Sequence, residues 1–389
     1  MNNFFKRTWC EIDLDALRHN FNLIKAKVKP ETKIMSVVKA NAYGHGIEHC
    51  AAELLKAGTD WFAVSNLEEA LQLRKICPDT PILILGYTPP EYADELALNN
   101  ISQAVLSLDY AKKLSENAVK SGISVNVHIK VDTGMSRIGF VYHDNIADEN
   151  AVDEIEEACK LPNLYNEGIF THFAVADEND SGIVFTKVQF KLFTDMIDRL
   201  SRRDISFPLR HCCNSAATLR NPEMHLDMVR PGIILYGLEP SHEVEGMGEF
   251  IPCMSFKTVV SLVKELESDT PISYGRTYYT TNSTEIATMP VGYADGLPRL
   301  LSNKLFVMIN GQKAKLTGRI CMDQCMADVT GLNVNAGDEV TIFGKDITAT
   351  DLADIIGTIN YELVCNINKR VPRLYLSNAQ IIAEENYTI

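Results

Sequence analysis

The sequence predicts an α/β chain: an N-terminal (β/α)8 TIM-type barrel over residues 11–240, then a second, mostly β domain over residues 241–389, which residues 1–10 join. Three observations carry this. Short apolar runs alternate with helical patterns from residue 12 to about residue 240, the runs number eight, and after Glu239-Pro240 the texture changes to alternating β segments with turn signals. A doubly wound open sheet is the rival architecture, and it usually has fewer strands.

Asp13 reads as the cap of an amphipathic helix running to Val28, with Leu14, Leu17, Phe21, Ile24 and Val28 near helical spacing. The strand candidates are Ile34 to Val38, Trp61 to Val64, Ile82 to Leu85, Ala104 to Leu106, Val125 to Val131, Gly168 to Phe173, Leu209 to Cys213 and Ile233 to Tyr236. Helical patterns lie between them, as at Leu67 to Ile76, Tyr110 to Lys120 and Phe185 to Leu200. In the second domain, β segments are expected at Lys257 to Leu266, Ile286 to Val291, Leu305 to Gly311, Lys315 to Val329 and Glu339 to Phe343, with Asn310-Gly311 as a hairpin turn.

Composition narrows the function. A net charge of −14 without a basic run makes nucleic acid and anionic membrane poor partners. No apolar run reaches bilayer length and the first residues lack a signal-type apolar core, so a cytoplasmic location is expected. The 10 cysteines lack Cys-x-x-Cys spacing and read as reduced thiols. His45 and His49 stand four apart without the accompanying carboxylate of a zinc-protease motif, and no metal is expected. A small-molecule enzyme fits these limits.

Polar residues follow the apolar runs: Lys39, Lys130 with Arg137, His172, Asn214 with Ser215, and Arg230 with Gly232. On a parallel barrel they line the carboxyl rim, where such folds carry their chemistry. Lys39 ends the run Ile34 to Val38 and opens the polar turn Ala40-Asn-Ala-Tyr-Gly-His-Gly46. A partly desolvated lysine there holds neutral amine able to form Schiff bases, but the local residues by themselves favour a lysine that caps a strand and reaches water. In Val125 to Val131 strict alternation turns Asn126, His128, Lys130 and Asp132 inward if the valines and Ile129 face outward. An inward lysine is costly unless its charge is paired or removed.

The stretch Val37-Val-Lys-Ala-Asn-Ala-Tyr-Gly-His-Gly46 resembles the pyridoxal-phosphate lysine motif of alanine racemases, and the likeness recurs along nearly the whole chain. The resemblance implies a racemase that interconverts L- and D-alanine by a two-base mechanism on pyridoxal 5′-phosphate, supplying D-alanine for peptidoglycan. A serine or broad-specificity racemase on the same scaffold is the alternative. Lys39 would be one catalytic base, and Tyr274, in Pro271-Ile-Ser-Tyr-Gly-Arg-Thr-Tyr278, the other, contributed by the partner of a homodimer.

By the same likeness the cofactor is bound by Lys39, Tyr43, His172, Asn214, Ser215, Arg230, Gly232, Ile233 and Tyr361. Arg230 faces the pyridine nitrogen, and Ser215, the Gly232 and Ile233 amides and the two tyrosine hydroxyls share the phosphate. Arg137 and the Met322 amide take the substrate carboxylate, and Lys130 is carbamylated so as to hold Arg137. Cys321 and Asp323 lie beside Met322, while Tyr293 narrows the entrance. Related serine racemases carry asparagine where this chain has Tyr361, which implies a small methyl side chain as substrate. The sequence departs from the family pattern at Arg276, at the doublet Cys212-Cys213 and at Lys369.

Overall fold

The computed structural model describes residues 6–143 and 149–387. The chain forms two compact units: Arg18–Ala42 with Ile47–Phe250, and Met1–Leu17 with Tyr43–Gly46 and Ile251–Ile389.

In the first unit the strands Lys33–Val37, Trp61–Val64, Ile82–Ile84, Ile101–Val105, Val125–Asp132, Leu164–Phe170 and Leu209–His211 follow one another in space in chain order, all parallel, with Met228–Val229 beside the first. Between the last two strands the Asp227 amide donates to the Arg210 carbonyl at 3.1 Å and the Arg230 amide to Cys213 at 2.9 Å, which closes the ring. This is the expected (β/α)8 barrel. Apart from the exposed starts of the strands at Lys33 and Leu164, its strands are largely buried on both faces, as a parallel sheet wrapped by helices requires.

One strand assignment is corrected. Ile233–Tyr236 is a 3-10 turn ended by Gly237 in the left-handed region, and the eighth strand is Met228–Val229 just upstream. Both runs are fully buried, and a short run that is apolar throughout has no period to tell strand from helix. The sixth strand begins earlier than expected, at Leu164, because the turn ending at Asn163 (φ 61°) and not the apolar content sets its start. The helices Leu67–Ile76, Leu108–Ser121 and Ser181–Ser201 match the helical patterns, and the Asp13 carboxylate accepts the Asp15 and Ala16 amides, as a cap should.

The second unit is built on a ten-stranded, mostly antiparallel sheet. Thr8–Asp13 lies inside it, third from one edge, antiparallel to Met254–Val259 and parallel to Arg373–Ser377. Phe306–Ile309 and Gln312–Leu316 form the expected hairpin, with Asn310 (φ 51°) and Gly311 (φ 73°) both left-handed, as a type I′ turn requires. The expected long segments Lys257 to Leu266 and Lys315 to Val329 are each broken in two, the latter by the loop that carries Cys321, Met322 and Asp323. Two short helices, Ala349–Ile356 and Asn360–Cys365, cover this unit, and Tyr361 sits in the first turn of the second.

Candidate active site

The barrel unit gathers its chemistry around Phe170. The ring of His211 stacks on that of Phe170 at 5.0 Å with 3° between planes, Arg230 Cζ lies 5.4 Å from its centroid and Lys130 Nζ 5.6 Å. All four side chains are buried. Arg230 Nη1 and His211 Nδ1 are 2.8 Å apart, and Nη2 donates to the Thr171 carbonyl at 2.8 Å and to Cys212 at 3.2 Å. The same Nη2 lies 3.2 Å from His172 Nδ1. Among the described residues no carboxylate forms an ion pair with this guanidinium, and burial lowers its pKa to about 10.

Lys130 is in the same position. Burial lowers its pKa to about 7, against Asp132, with the charges of Arg230 and Arg137 adding to the fall, and Nζ donates to the Val131 carbonyl at 2.7 Å. Burial, and then the Arg230 charge, push His172 and His211 well below the ordinary histidine range, so both rings are neutral at physiological pH. The inward turn of His128 expected from strand alternation holds: it is fully buried and meets His211 at 2.9 Å.

At the rim, Asn214 caps the short helix Ser215–Arg220 by accepting the Ala217 amide at 3.0 Å. Ser215 Oγ accepts the Gly232 amide at 2.9 Å, which sets the start of the 3-10 turn at Ile233. Arg137 lies exposed on the loop after Asp132. Asp132 holds that loop by accepting the Gly134 and Ser136 amides at 3.0 and 2.9 Å; burial alone would raise its pKa, but these bonds and Lys130 keep it below the usual value.

Lys39 is half-buried and lies two residues beyond the end of the first barrel strand, at Val37. The chain after it turns left-handed: Ala40, Asn41, Ala42 and Tyr43 have φ of 52°, 55°, 54° and 52°. For residues bearing a Cβ this conformation costs roughly 1–2 kcal/mol each. It persists only where surrounding bonds hold it.

In the β unit, Tyr43 and Tyr361 bring their ring centroids to 6.0 Å. Tyr274 stands on a turn with Ser273 (φ 65°), Gly275 (φ 72°) and Arg276 (φ 48°), and is 70% exposed. Ser273 Oγ donates to the Arg319 carbonyl at 2.6 Å and lies 3.4 Å from Cys321 Sγ. The Tyr293 and Ala294 amides both donate at 3.0 Å, to the Cys321 and Met322 carbonyls, and a side chain on Gly292 would strike those same carbonyls. Arg370 bridges Asp323 at 2.7 Å and the buried Asp295 at 2.8 Å. Tyr274, Cys321 and Gln324 thus border one cavity of about 410 Å³, with Met322 (53% exposed) and Tyr293 (42% exposed) beside it.

Sequence reasoning missed Phe170 and His211. The parity of Leu209 to Cys213 was a usable signal, since it puts His211 on one face with Leu209.

Buried cations and neutral histidines thus gather at the carboxyl rim of the barrel, where Lys39 also follows a strand, and this places the chain among TIM-type barrel enzymes, whose chemistry sits at that face. The comparisons sharpen this. Residues 12–240 match the family model "Alanine racemase, N-terminal domain" and residues 253–375 "Alanine racemase, C-terminal domain". The chain is 45% identical over 385 residues to alanine racemase 2 of Caldanaerobacter subterraneus subsp. tengcongensis, covering 98% of this chain and 97% of that one. It is 46% identical to an alanine racemase of Clostridium perfringens, with 97% and 98% covered. A solved alanine racemase of Clostridium difficile 630 superposes with a TM-score of 0.94 at 40% identity, all of both chains covered. One from Bacillus anthracis with bound L-Ala-P gives 0.92 at 35% identity, with 99% and 98% covered. The chain belongs to the alanine racemase family.

Among the described residues no group of three or more His, Cys, Asp or Glu is placed to hold a metal, and no helix is long and apolar enough to cross a membrane.

Proposed function

We propose that this enzyme interconverts L- and D-alanine with pyridoxal 5′-phosphate as cofactor, acting in the cytoplasm as a homodimer whose active sites draw on both copies. The observation that carries the reading is the buried guanidinium of Arg230, which meets neutral imidazoles and carbonyls where a cationic site would otherwise be balanced by a carboxylate. Such a site is stabilised by an anionic ring ligand, so the residues present suit the cofactor. When bound, that cofactor supplies an electron sink that makes the amino-acid Cα proton acidic.

The chain's own residues do the rest. Arg230 stays charged and gives up no proton readily, so it would hold a cofactor ring nitrogen without protonating it, which would favour prompt return of the proton to Cα over other exits. His172, held neutral, would pack against the cofactor ring without adding charge. Ser215 accepts from Gly232 and keeps its own hydroxyl hydrogen for a phosphate, with the Ile233 amide next to it. Tyr43 and Tyr361, whose ring centroids lie 6.0 Å apart, would offer further hydroxyls to that phosphate, and Asn214 supports Ser215 by capping its helix.

Racemisation requires a proton donor and acceptor on each side of Cα, because one base tends to return the proton to the face it left. Lys39 serves one face and Tyr274 of a second copy the other. The high exposure of Tyr274, Tyr293 and Met322 in a single copy supports a site completed by a second one. Arg137 and the Met322 amide orient the substrate carboxylate. A pKa of about 7 leaves Lys130 partly neutral at physiological pH, as reaction with carbon dioxide requires, and the resulting carbamate anion would hold Arg137. The deciding experiment is to incubate the purified protein with L-alanine and score the D-isomer by chiral chromatography. Faster turnover of L-serine than of L-alanine would move the assignment to a serine racemase.

A further inference from the structure

We propose that Glu69 is a positioning residue for Lys39: its carboxylate holds the left-handed turn that begins immediately after the lysine. The inference rests on Lys39 being the reactive amine. Glu69 Oε1 accepts the Ala40 amide at 2.6 Å and Oε2 accepts the Ser65 amide at 2.9 Å. Ala40 and Ser65 lie just beyond the carboxyl ends of two neighbouring parallel strands, Lys33–Val37 and Trp61–Val64, which pair Met35 with Trp61 and Val37 with Ala63. One carboxylate therefore clamps two strand ends at the rim.

Glu69 has an ordinary task as well, and it is separable. It sits in the first turn of the helix Leu67–Ile76, whose cap Asn66 accepts the Glu69 amide at 2.9 Å. In a standard capping box the glutamate returns to the amide of the cap residue. Here one oxygen goes to the residue before the cap, and the other leaves the helix altogether for Ala40.

What Ala40 requires explains the reach. Four successive residues with side chains stay at positive φ only if bonds on both sides over-determine them. Asn41 Oδ1 accepts the Ile47 amide at 2.8 Å at the far side, and Ala42 donates to the Val38 carbonyl at 2.9 Å. Glu69 supplies the hold at the near side, one peptide from the Lys39 Cα. Releasing it lets the turn relax toward right-handed backbone and re-aims the Lys39 side chain. Both donors are N–H groups, so the site needs two acceptors: a carboxylate has them, a carboxamide has one, and aspartate is a methylene short.

The test uses the full-length protein and the variants Glu69→Ala, Glu69→Gln and Asn66→Ala. Three quantities are read: amide deuterium exchange of the segment Val38 to Gly46 in cofactor-free protein, the rate at which added pyridoxal 5′-phosphate becomes fixed to Lys39 by borohydride, and kcat and KM for alanine. Glu69→Ala is expected to speed exchange and to lower capture and kcat by roughly 100-fold with KM changed little, since misplacing a reacting group by about 1 Å has that effect. Glu69→Gln falls between. Asn66→Ala removes the cap of the same helix but leaves the clamp, and all three readings stay near those of the parent. Unchanged exchange and capture in Glu69→Ala, or the same losses in Asn66→Ala, overturn the proposal. Failure of the parent protein itself to be fixed at Lys39 would instead overturn the role of the lysine, and the exchange reading, which needs no cofactor, keeps the two apart.

Discussion

Arg230 donates from Nη1 to Nδ1 of His211 across 2.8 Å. A guanidinium only donates, so His211 Nδ1 is an acceptor and its proton sits on Nε2, which donates to His128 Nδ1 at 2.9 Å. His128 is then left to donate from Nε2 to Glu167 at 3.3 Å, and Glu167 also accepts from Ser102 at 2.5 Å. The tautomers of both histidines follow from a donor at one end and an acceptor at the other. The carboxylate of this chain stays two rings away from the guanidinium.

Arg230→Glu places a proton-bearing acid where the ring nitrogen is expected. Racemisation should fall by roughly 100-fold, the scale of losing one preorganised donor. Release of pyruvate from alanine should rise, because a protonated ring is a better electron sink. No gain in pyruvate would remove the guanidinium from control of reaction type.

Lys130 gives a pH dependence with a definite sign. Its pKa falls from 10.5 in the free side chain to about 7, chiefly through burial, so between these values the unfolded chain binds more protons and stability rises with pH. Lys130→Met should therefore raise the unfolding midpoint most below about pH 7 and least above about pH 10. At fixed dissolved carbon dioxide, the carbamylated fraction seen by intact mass should likewise grow as pH rises through about 7, as the neutral amine appears. An unmodified Lys130 side chain in well-resolved density at alkaline pH would refute the modification.

Tyr274→Phe should leave cofactor binding intact, since the side chain is exposed on the β unit. Turnover should collapse with an asymmetry: solvent deuterium enters Cα far more slowly starting from one enantiomer. An equal, mild loss in both directions would take Tyr274 out of the mechanism.

Tyr361→Asn removes bulk next to Tyr43. Its serine-to-alanine ratio of kcat/KM should rise by roughly 10-fold or more, the range in which pocket size discriminates single groups. An unchanged ratio would place substrate selection elsewhere.

Arg373 tests the β unit. It is buried, with Nε on the Gly44 carbonyl at 3.2 Å and the other nitrogens on Asn368 and Ile367 at 2.8 Å and Val371 at 2.5 Å. Arg373→Met strands these acceptors and should lower unfolding free energy by about 3 kcal/mol or more, measured by urea denaturation. A loss below about 1 kcal/mol would show that water replaces the guanidinium.

What was legible in the sequence was what is local. The eight apolar runs and their helices, the cap at Asp13, the Asn310-Gly311 hairpin and the polar residues following strands each need only a few neighbouring residues, because strand and helix periods are short-range properties. What only the tertiary structure decided depends on partners far along the chain. Ile233–Tyr236 became a 3-10 turn because the barrel closes at Met228–Val229. His211, Phe170, Lys130 and Arg230 come from separate strands and meet only when those strands lie side by side. The turn after Lys39 runs against the preference of each of its residues, and a carboxylate from the next helix, Glu69, helps to hold it there.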